Sequence, residues 1–260
     1  MKNILDKIYE YKRIEVEVAK SKISFSEMEK LALQTENRKS FKDAISSSGI
    51  SIIAELKKAS PSSSVIRANF YPISLASELE MAGATALSVL TEMRYFQGSP
   101  RYLKDVSQEV KISVLRKDFI FDEYQIAEAK YLGASAVLLI ARMLDSNSFK
   151  RLFNYAKQLG LDVLAEAHTN EEISMLVKNN ADIIGVNCRD LYTFNTDFSR
   201  IGKLLQSVPD GVVKVAESGV RCRADILQAE MFGANAVLVG SILMSKESPS
   251  YELKKLLGKV

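Results

Sequence analysis

The chain has 260 residues and a formal net charge of +3; it is 47% hydrophobic and 26% charged, with two Cys, one His and no Trp. Such a length suits one large α/β domain whose core buries roughly three quarters of the unfolded surface. The small charge contains no basic block for nucleic acid, two cysteines do not make a disulfide scaffold, and no apolar run nears the ~20 residues that span a bilayer.

The opening MKNILDKIYEYK alternates charge and apolar residues and lacks the apolar core of a signal peptide. A cytoplasmic protein without nucleic-acid or membrane partners is expected, and a small anionic substrate is compatible with its charge. Residues 3–35 read as helical, with Ile4, Leu5, Ile8, Tyr11 and Ile14 at three- and four-residue spacing and a second short pattern near Ser26. They precede any repeating unit. Residues 1–50 are therefore read as an N-terminal helical extension to a single domain covering 1–260.

From Ser51 the pattern becomes periodic. Eight short apolar runs follow: SIIAEL from Ser51, ALSVLT from Ala86, ISVLRK from Ile112, AVLLIA from Ala136, DVLAEA from Asp162, DIIGVN from Asp182, VVKVAES from Val212 and NAVLVG from Asn235. Amphipathic stretches such as DEYQIAEAKYLGA lie between them and end in Gly-Ala or Asn-Ala, as a helix C-cap before a strand should. Near-continuous apolar strands alternating with helices predict a parallel sheet covered on both faces. Eight units fit a (β/α)8 TIM barrel better than a doubly wound sheet, the alternative, and no GxGxxG follows the first strand.

A barrel of this kind carries its site at the C-terminal ends of the strands. Glu55 and Lys57 stand at the end of the first strand, where an unpaired core charge would cost several kcal/mol. Lys117 ends the third and Glu166 the fifth. Asn187 and Arg189 follow the sixth, and Glu217 and Ser218 the seventh. Gly219 after the seventh strand, with Gly240 and Ser241 after the eighth, predicts a phosphate site, because glycine lets backbone N–H groups approach an anion. His168, the sole histidine, reads as a supporting or structural residue, and Cys188 as a packing one. No His, Cys and carboxylate cluster has metal-ligand spacing, so no metal is expected; GxSxG and Ser-His-Asp arrangements are missing, which disfavours acyl transfer, and no cofactor is expected.

Together IAELKKASPS, ALSVLTE, VLRKDFI, GVNCRDL, AESGV and VLVGSILM resemble the motifs of the indole-3-glycerol phosphate synthase family, in that family's order, over essentially the whole chain. The resemblance implies a carboxy-lyase of tryptophan biosynthesis acting on 1-(2-carboxyphenylamino)-1-deoxyribulose 5-phosphate, as a monomer or homodimer. It implies Lys117 as general acid with Glu166 as its carboxylate counterpart, and Glu55, Lys57 and Asn187 as further catalytic residues. Ser60, Arg189, Glu217 and Ser218 match substrate-contacting positions, and Gly219, Gly240 and Ser241 the phosphate loops. As a general acid crowded by Lys57, Lys117 is expected to have a modestly depressed pKa. The chain departs from the family in two places: Ser63-Ser64 stands where a basic residue and Gly usually follow Ser-Pro-Ser, and Cys188 where Asn or Ser is common. Rival readings are another phosphate-binding barrel, such as phosphoribosylanthranilate isomerase or a sugar-phosphate epimerase, and a non-catalytic binding barrel. The lysines and glutamates at the strand ends disfavour both.

Overall fold

The apolar runs consist of β-branched and long aliphatic residues, which suit strands covered on both faces. In the computed structural model, which describes residues 4–188 and 199–260, three helices come first: α1 (Ile4–Lys22), α2 (Phe25–Gln34) and α3 (Phe41–Ile45). The strands are β1 (Ser51–Leu56), β2 (Ala86–Leu90), β3 (Ser113–Lys117), β4 (Ala136–Ile140), β5 (Asp162–Ala167), β6 (Ile183–Asn187), β7 (Val213–Glu217) and β8 (Ala236–Val239). Each pairs in parallel with the next and β8 closes on β1, so the fold is the expected (β/α)8 barrel. Walking the ladders once around returns an offset of eight residues, the shear of this barrel class.

Outside the strands lie α4 (Pro72–Ala82), α5 (Pro100–Glu109), α6 (Glu123–Tyr131), α7 (Ser146–Gln158), α8 (Asn170–Lys178), α9 (Ser199–Gln206), α10 (Arg223–Met231), α11 (Ser241–Met244) and α12 (Pro249–Leu257). Their ends follow the turn chemistry of the sequence. The residue after α4 is Gly83 at φ +106°, and the turn after α8 passes through Asn180 at φ +60°. Both are left-handed positions that glycine and asparagine tolerate best.

Shear also sets the interior, because alternate strands contribute the side chains of each layer. Ala86, Ala136, Ile183 and Ala236 form the floor; Ile53, Leu115, Leu164 and Val215 form the next layer, and all eight are buried in one interior cluster. The small floor residues leave room that α3 fills: Phe41 and Ile45 are completely buried in the same cluster. Burying a Phe side chain contributes about 1.5–3 kcal/mol, so α3 acts as an apolar plug.

The extension reaches the opposite end as well. On α1, Lys12 is buried with its Nζ 3.0 Å from Oδ1 of Asp118, the residue after Lys117. Tyr9 packs edge-on to Phe121 at 4.7 Å, and the Arg94 guanidinium lies 3.5 Å over the Tyr11 ring. Residues 4–50 thus run from the mouth to the floor of the barrel. The helical stretch expected over residues 3–35 is interrupted at Ile23–Ser24, because the Ser24 hydroxyl accepts the Glu27 N–H and starts a second helix.

Candidate active site

One further odd-strand layer crowns the barrel, and it is charged: Glu55 from β1, Lys117 from β3, Glu166 from β5 and Glu217 from β7. Three of these side chains are carboxylates no more than 4% exposed. Beneath them Ser88, Leu138, Gly185 and Leu238 come from the even strands. Charge buried this deeply is tolerable only when paired, and the layer pairs internally. Nζ of Lys117 lies 2.9 Å from Oε2 of Glu166 and 2.6 Å from Oε2 of Glu217. Asn187 donates its amide to the other Glu166 oxygen at 3.0 Å, and Lys57 sits 2.6 Å from Glu55.

These contacts separate the titrations. Burial alone would push the Lys117 ammonium down, but the carboxylates of Glu166, Glu217 and Glu55 outweigh it and hold Lys117 well above its ordinary value. The depression expected from the sequence is thus overturned. It assumed crowding by Lys57, whose charge is taken up by Glu55, and it omitted Glu217. Burial also works against Glu166, yet Lys117, His168 and the Asn187 amide hold that carboxyl well below the usual range. For Glu217 burial prevails: with Glu166 and Glu55 nearby it is pushed up to about 7 despite Lys117. Its Oε1 is buried and has no hydrogen-bond partner among the described residues.

Two glycines make room for this layer. A Cβ on Gly185 would lie 2.1 Å from Oε1 of Glu217, and one on Gly240 would lie 2.3 Å from Oε2 of Glu55. Gly240 has φ −128° and so is not left-handed, and it is the Glu55 carboxylate that a side chain there would strike. The sequence reading assigned Gly240 to phosphate alone.

Among the described residues, two cavities at the mouth share part of their lining. The smaller, about 130 Å³, is lined by Glu55, Lys57, Ser60, Lys117, Glu166, Asn187, Glu217 and Ser218 together with apolar side chains. Phe96 and Phe119, tilted at 6.0 Å, and Leu5 of the N-terminal helix form part of that apolar wall. These three escaped the sequence reading. Phe119 had a signal in following Lys117 by two residues, whereas Leu5 had none, because only folding brings α1 to the mouth. Ser60 belongs to a two-stranded ribbon, Ala59–Ser60 against Ser64–Val65, in which Ser64 adopts φ +49°. That left-handed position is the one where the family resemblance implies Gly.

The larger cavity, about 690 Å³, shares Glu55, Lys57 and Ser218 and adds Gly219, Ser241 and two cations that the sequence reading did not single out, Arg221 and Lys246. Ser218 at φ +66° and Gly219 at φ +87° form a left-handed pair at the end of β7. The N–H groups of the two residues just before α10 are not free for an anion, since Asp225 accepts those of Arg221 and Cys222 at 2.7 and 3.1 Å. Gly219 and the first turn of α11 remain as backbone donors on that side. Cys188 is buried away from the mouth, its Sγ 3.5 Å from the Ser218 carbonyl, in the packing role expected of it. Arg189 lies outside the described residues.

Among the described residues no group of three or more His, Cys, Asp or Glu side chains is arranged to hold a metal ion, and no helix is long and apolar enough to cross a membrane.

Compared with known proteins, residues 5–256 match the family model described as indole-3-glycerol phosphate synthase. A protein of that name from Ruminiclostridium cellulolyticum is 43% identical over 98% of this chain and 99% of its own. Another, from Endomicrobium trichonymphae, is 45% identical over 97% of this chain and 99% of its own. Among solved structures, 3-hexulose-6-phosphate synthase from Salmonella typhimurium superposes with a TM-score of 0.64 at 14% identity over 80% of this chain and 96% of that one. Thiamine phosphate pyrophosphorylase from Pyrococcus furiosus gives 0.59 at 16% identity over 80% and 94%. At such identities the likeness extends to the fold alone.

Proposed function

The chain belongs to the indole-3-glycerol phosphate synthase family, and from that premise we propose how the residues at its barrel mouth divide the reaction. The protein is a carboxy-lyase. It closes the pyrrole ring of 1-(2-carboxyphenylamino)-1-deoxyribulose 5-phosphate, with loss of one carbon dioxide and one water, to give indole-3-glycerol phosphate. Because the departing carboxylate leaves as neutral gas, each turnover takes up one proton.

The observation that carries the assignment of roles is Lys117 held between Glu166 and Glu217 at 2.9 and 2.6 Å. An ammonium held this firmly gives its proton only to a strong base. The ketone oxygen becomes one as the aromatic ring attacks the carbonyl carbon and negative charge collects on it. Lys117 is then the general acid at that oxygen. Decarboxylation restores the aromatic ring, and dehydration removes a proton from a cationic intermediate. That step requires only a weak base, and the ionised Glu166 suits it. Glu217, raised toward neutrality, can present its own proton to the departing hydroxyl.

Binding follows the two cavities. The phenyl ring fits the wall of Leu5, Phe96 and Phe119, while Lys57 and Ser60 face the anionic and hydroxyl groups between. The phosphate fits the larger cavity at Ser218, Gly219 and Ser241, with Gly240 shaping the wall through Glu55. The experiment is direct. The chain has no Trp, so the protein adds no indole emission of its own to that of the product when it meets the substrate. Absence of that signal at micromolar protein, with intact substrate recovered, refutes the activity.

A further inference from the structure

His168 is the only histidine of the chain, is 5% exposed, and has no part in the mechanism above. It sits one residue beyond β5. Its Nε2 lies 3.4 Å from Oε1 of Glu166 and its Nδ1 3.6 Å from Oε2 of Glu172 in the first turn of α8. Neither nitrogen has a hydrogen-bond partner among the described residues. The residue is anchored at its backbone, whose N–H donates to Oε2 of Glu172 at 2.6 Å, and Arg142 fixes that carboxylate by donating to its other oxygen at 3.0 Å. A ring present only to fill space has no reason to aim both nitrogens at carboxylates.

We propose that His168 is a positioning residue for Glu166: the imidazole, braced by Glu172, holds the Glu166 carboxylate in place when Lys117 gives up its proton. The inference rests on the functional reading above. In the resting site Glu166 is held by Lys117 at 2.9 Å and by Asn187 at 3.0 Å, with Nε2 of the His168 ring 3.4 Å from its Oε1. Proton donation removes the strongest of these charges. Asn187 and His168 are then what keeps the carboxylate ionised and aimed. Burial opposes both carboxylates beside the ring, yet Glu166 and Glu172 are held well below their ordinary range, in part by His168. The groups facing Glu166 are Lys117 from β3, Asn187 from β6 and Glu217 from β7, with Glu55 and Lys57 of β1 across the mouth. Those facing His168 are Glu166 and Glu172, with Arg142 behind the latter.

The test uses His168→Leu, His168→Gln and Glu172→Gln. In His168→Leu, kcat should fall roughly ten-fold or more, short of the largest losses seen on removing a whole acid or base, while KM stays within about two-fold. The acid limb of the kcat profile should move to higher pH, since Glu166 becomes harder to ionise without its neighbour. Gln can still donate one N–H to Glu166, so His168→Gln should recover part of the loss; Glu172→Gln, which leaves the ring in place, should shift the limb the same way by less. Wild-type kcat with an unmoved limb in His168→Leu overturns the proposal, as does a Gln variant no better than Leu. If the Leu variant does not fold, Glu172→Gln decides by the same criterion. A second measurement needs no turnover: in untagged, ¹⁵N-histidine-labelled protein the spectrum contains one imidazole. Glu166→Gln should displace its Nε2 resonance and Glu172→Gln its Nδ1 resonance, and failure of both to move overturns the bridge. An inactive wild-type protein refutes the assigned reaction instead and leaves the spectrum to judge the contact.

Discussion

Replacing Lys117 tests charge and chemistry together, because the structure makes one side chain responsible for both. Its ammonium is the partner of two buried carboxylates, at 2.9 and 2.6 Å. In Lys117→Met these carboxylates face each other without a cation. Removing one member of a buried pair costs about 3–5 kcal/mol, and two pairs share this lysine, so the upper end applies at alkaline pH. The loss should depend on pH. Without Lys117 the carboxyl groups titrate above their unfolded values, so the penalty is absent below the unfolded pKa and grows as pH rises through the folded one. Glu217, already pushed up to about 7 with the lysine present, is the first to hold a proton. Each proton retained by the folded variant alone is worth about 1.4 kcal/mol per pH unit, so the variant should close much of its gap to wild type between pH 8 and pH 5.5. Urea unfolding at the two pH values reads this. Steady-state assays should meanwhile show kcat down by roughly 10²-fold or more. Lys117→Arg separates the two roles: it keeps the charge and most of the stability, but a guanidinium does not release its proton, so kcat should not return. Near-wild-type turnover in either variant would refute the acid role and leave Lys57 as the candidate. A loss of stability equal at both pH values would refute the charge layer.

Gly185→Ala should force the Glu217 carboxylate to retreat, since the new Cβ would lie 2.1 Å from its Oε1. Misplacement by about 1 Å can cost up to ~10²-fold in rate, so a kcat equal to wild type would show that Glu217 is not needed where it sits. Phe41→Ala empties the plug and should cost about 3–5 kcal/mol in urea unfolding, with kcat and KM of the folded protein nearly unchanged. Ser64→Gly relieves a left-handed serine at φ +49° and should stabilise the protein by about 0.5–1 kcal/mol, read as a higher Tm; a lower one refutes the strain. Gly219→Val, at φ +87°, should raise KM several-fold with little change in kcat, and an unchanged KM would remove that loop from phosphate binding.

The barrel was legible because its signals are local. An apolar run such as AVLLIA identifies a doubly covered strand without reference to any other segment, and Asn180 or Gly83 marks a helix end through its own backbone preference. The strand-end residues were legible for a related reason: once eight units are counted, Glu55, Lys117, Glu166 and Glu217 are bound to share one end. Contacts across the chain were not. Lys12 reads as a solvated helix residue, yet it is buried 3.0 Å from Asp118 because α1 folds over the mouth. Phe41 reads as one apolar residue in a polar linker, and its role as the plug depends on the small side chains of Ala86, Ala136 and Ala236 beneath the barrel.

Register is what turned the expected charge of Lys117 around. From the sequence, Lys57 and Lys117 are two cations at one mouth, and like charges lower each other's pKa. The shear of the barrel places each beside a carboxylate of its own layer or strand, and Glu55 neutralises Lys57 at 2.6 Å. Three carboxylates then share two lysines, so the layer carries surplus negative charge and the extra proton settles on a glutamate. Glu217 is that glutamate, since its Oε1 has no partner to favour ionisation, whereas both oxygens of Glu166 are held. Two carboxyl groups of the same chemistry are thereby driven apart, Glu166 below the usual carboxylate range and Glu217 up to about 7, which is how one site can hold an acid and a base at the same pH. The separation depends on what each glutamate holds besides the shared ammonium, and for that reason Lys117→Met should raise both titrations while Glu166, still held by Asn187 at 3.0 Å, keeps ionising before Glu217.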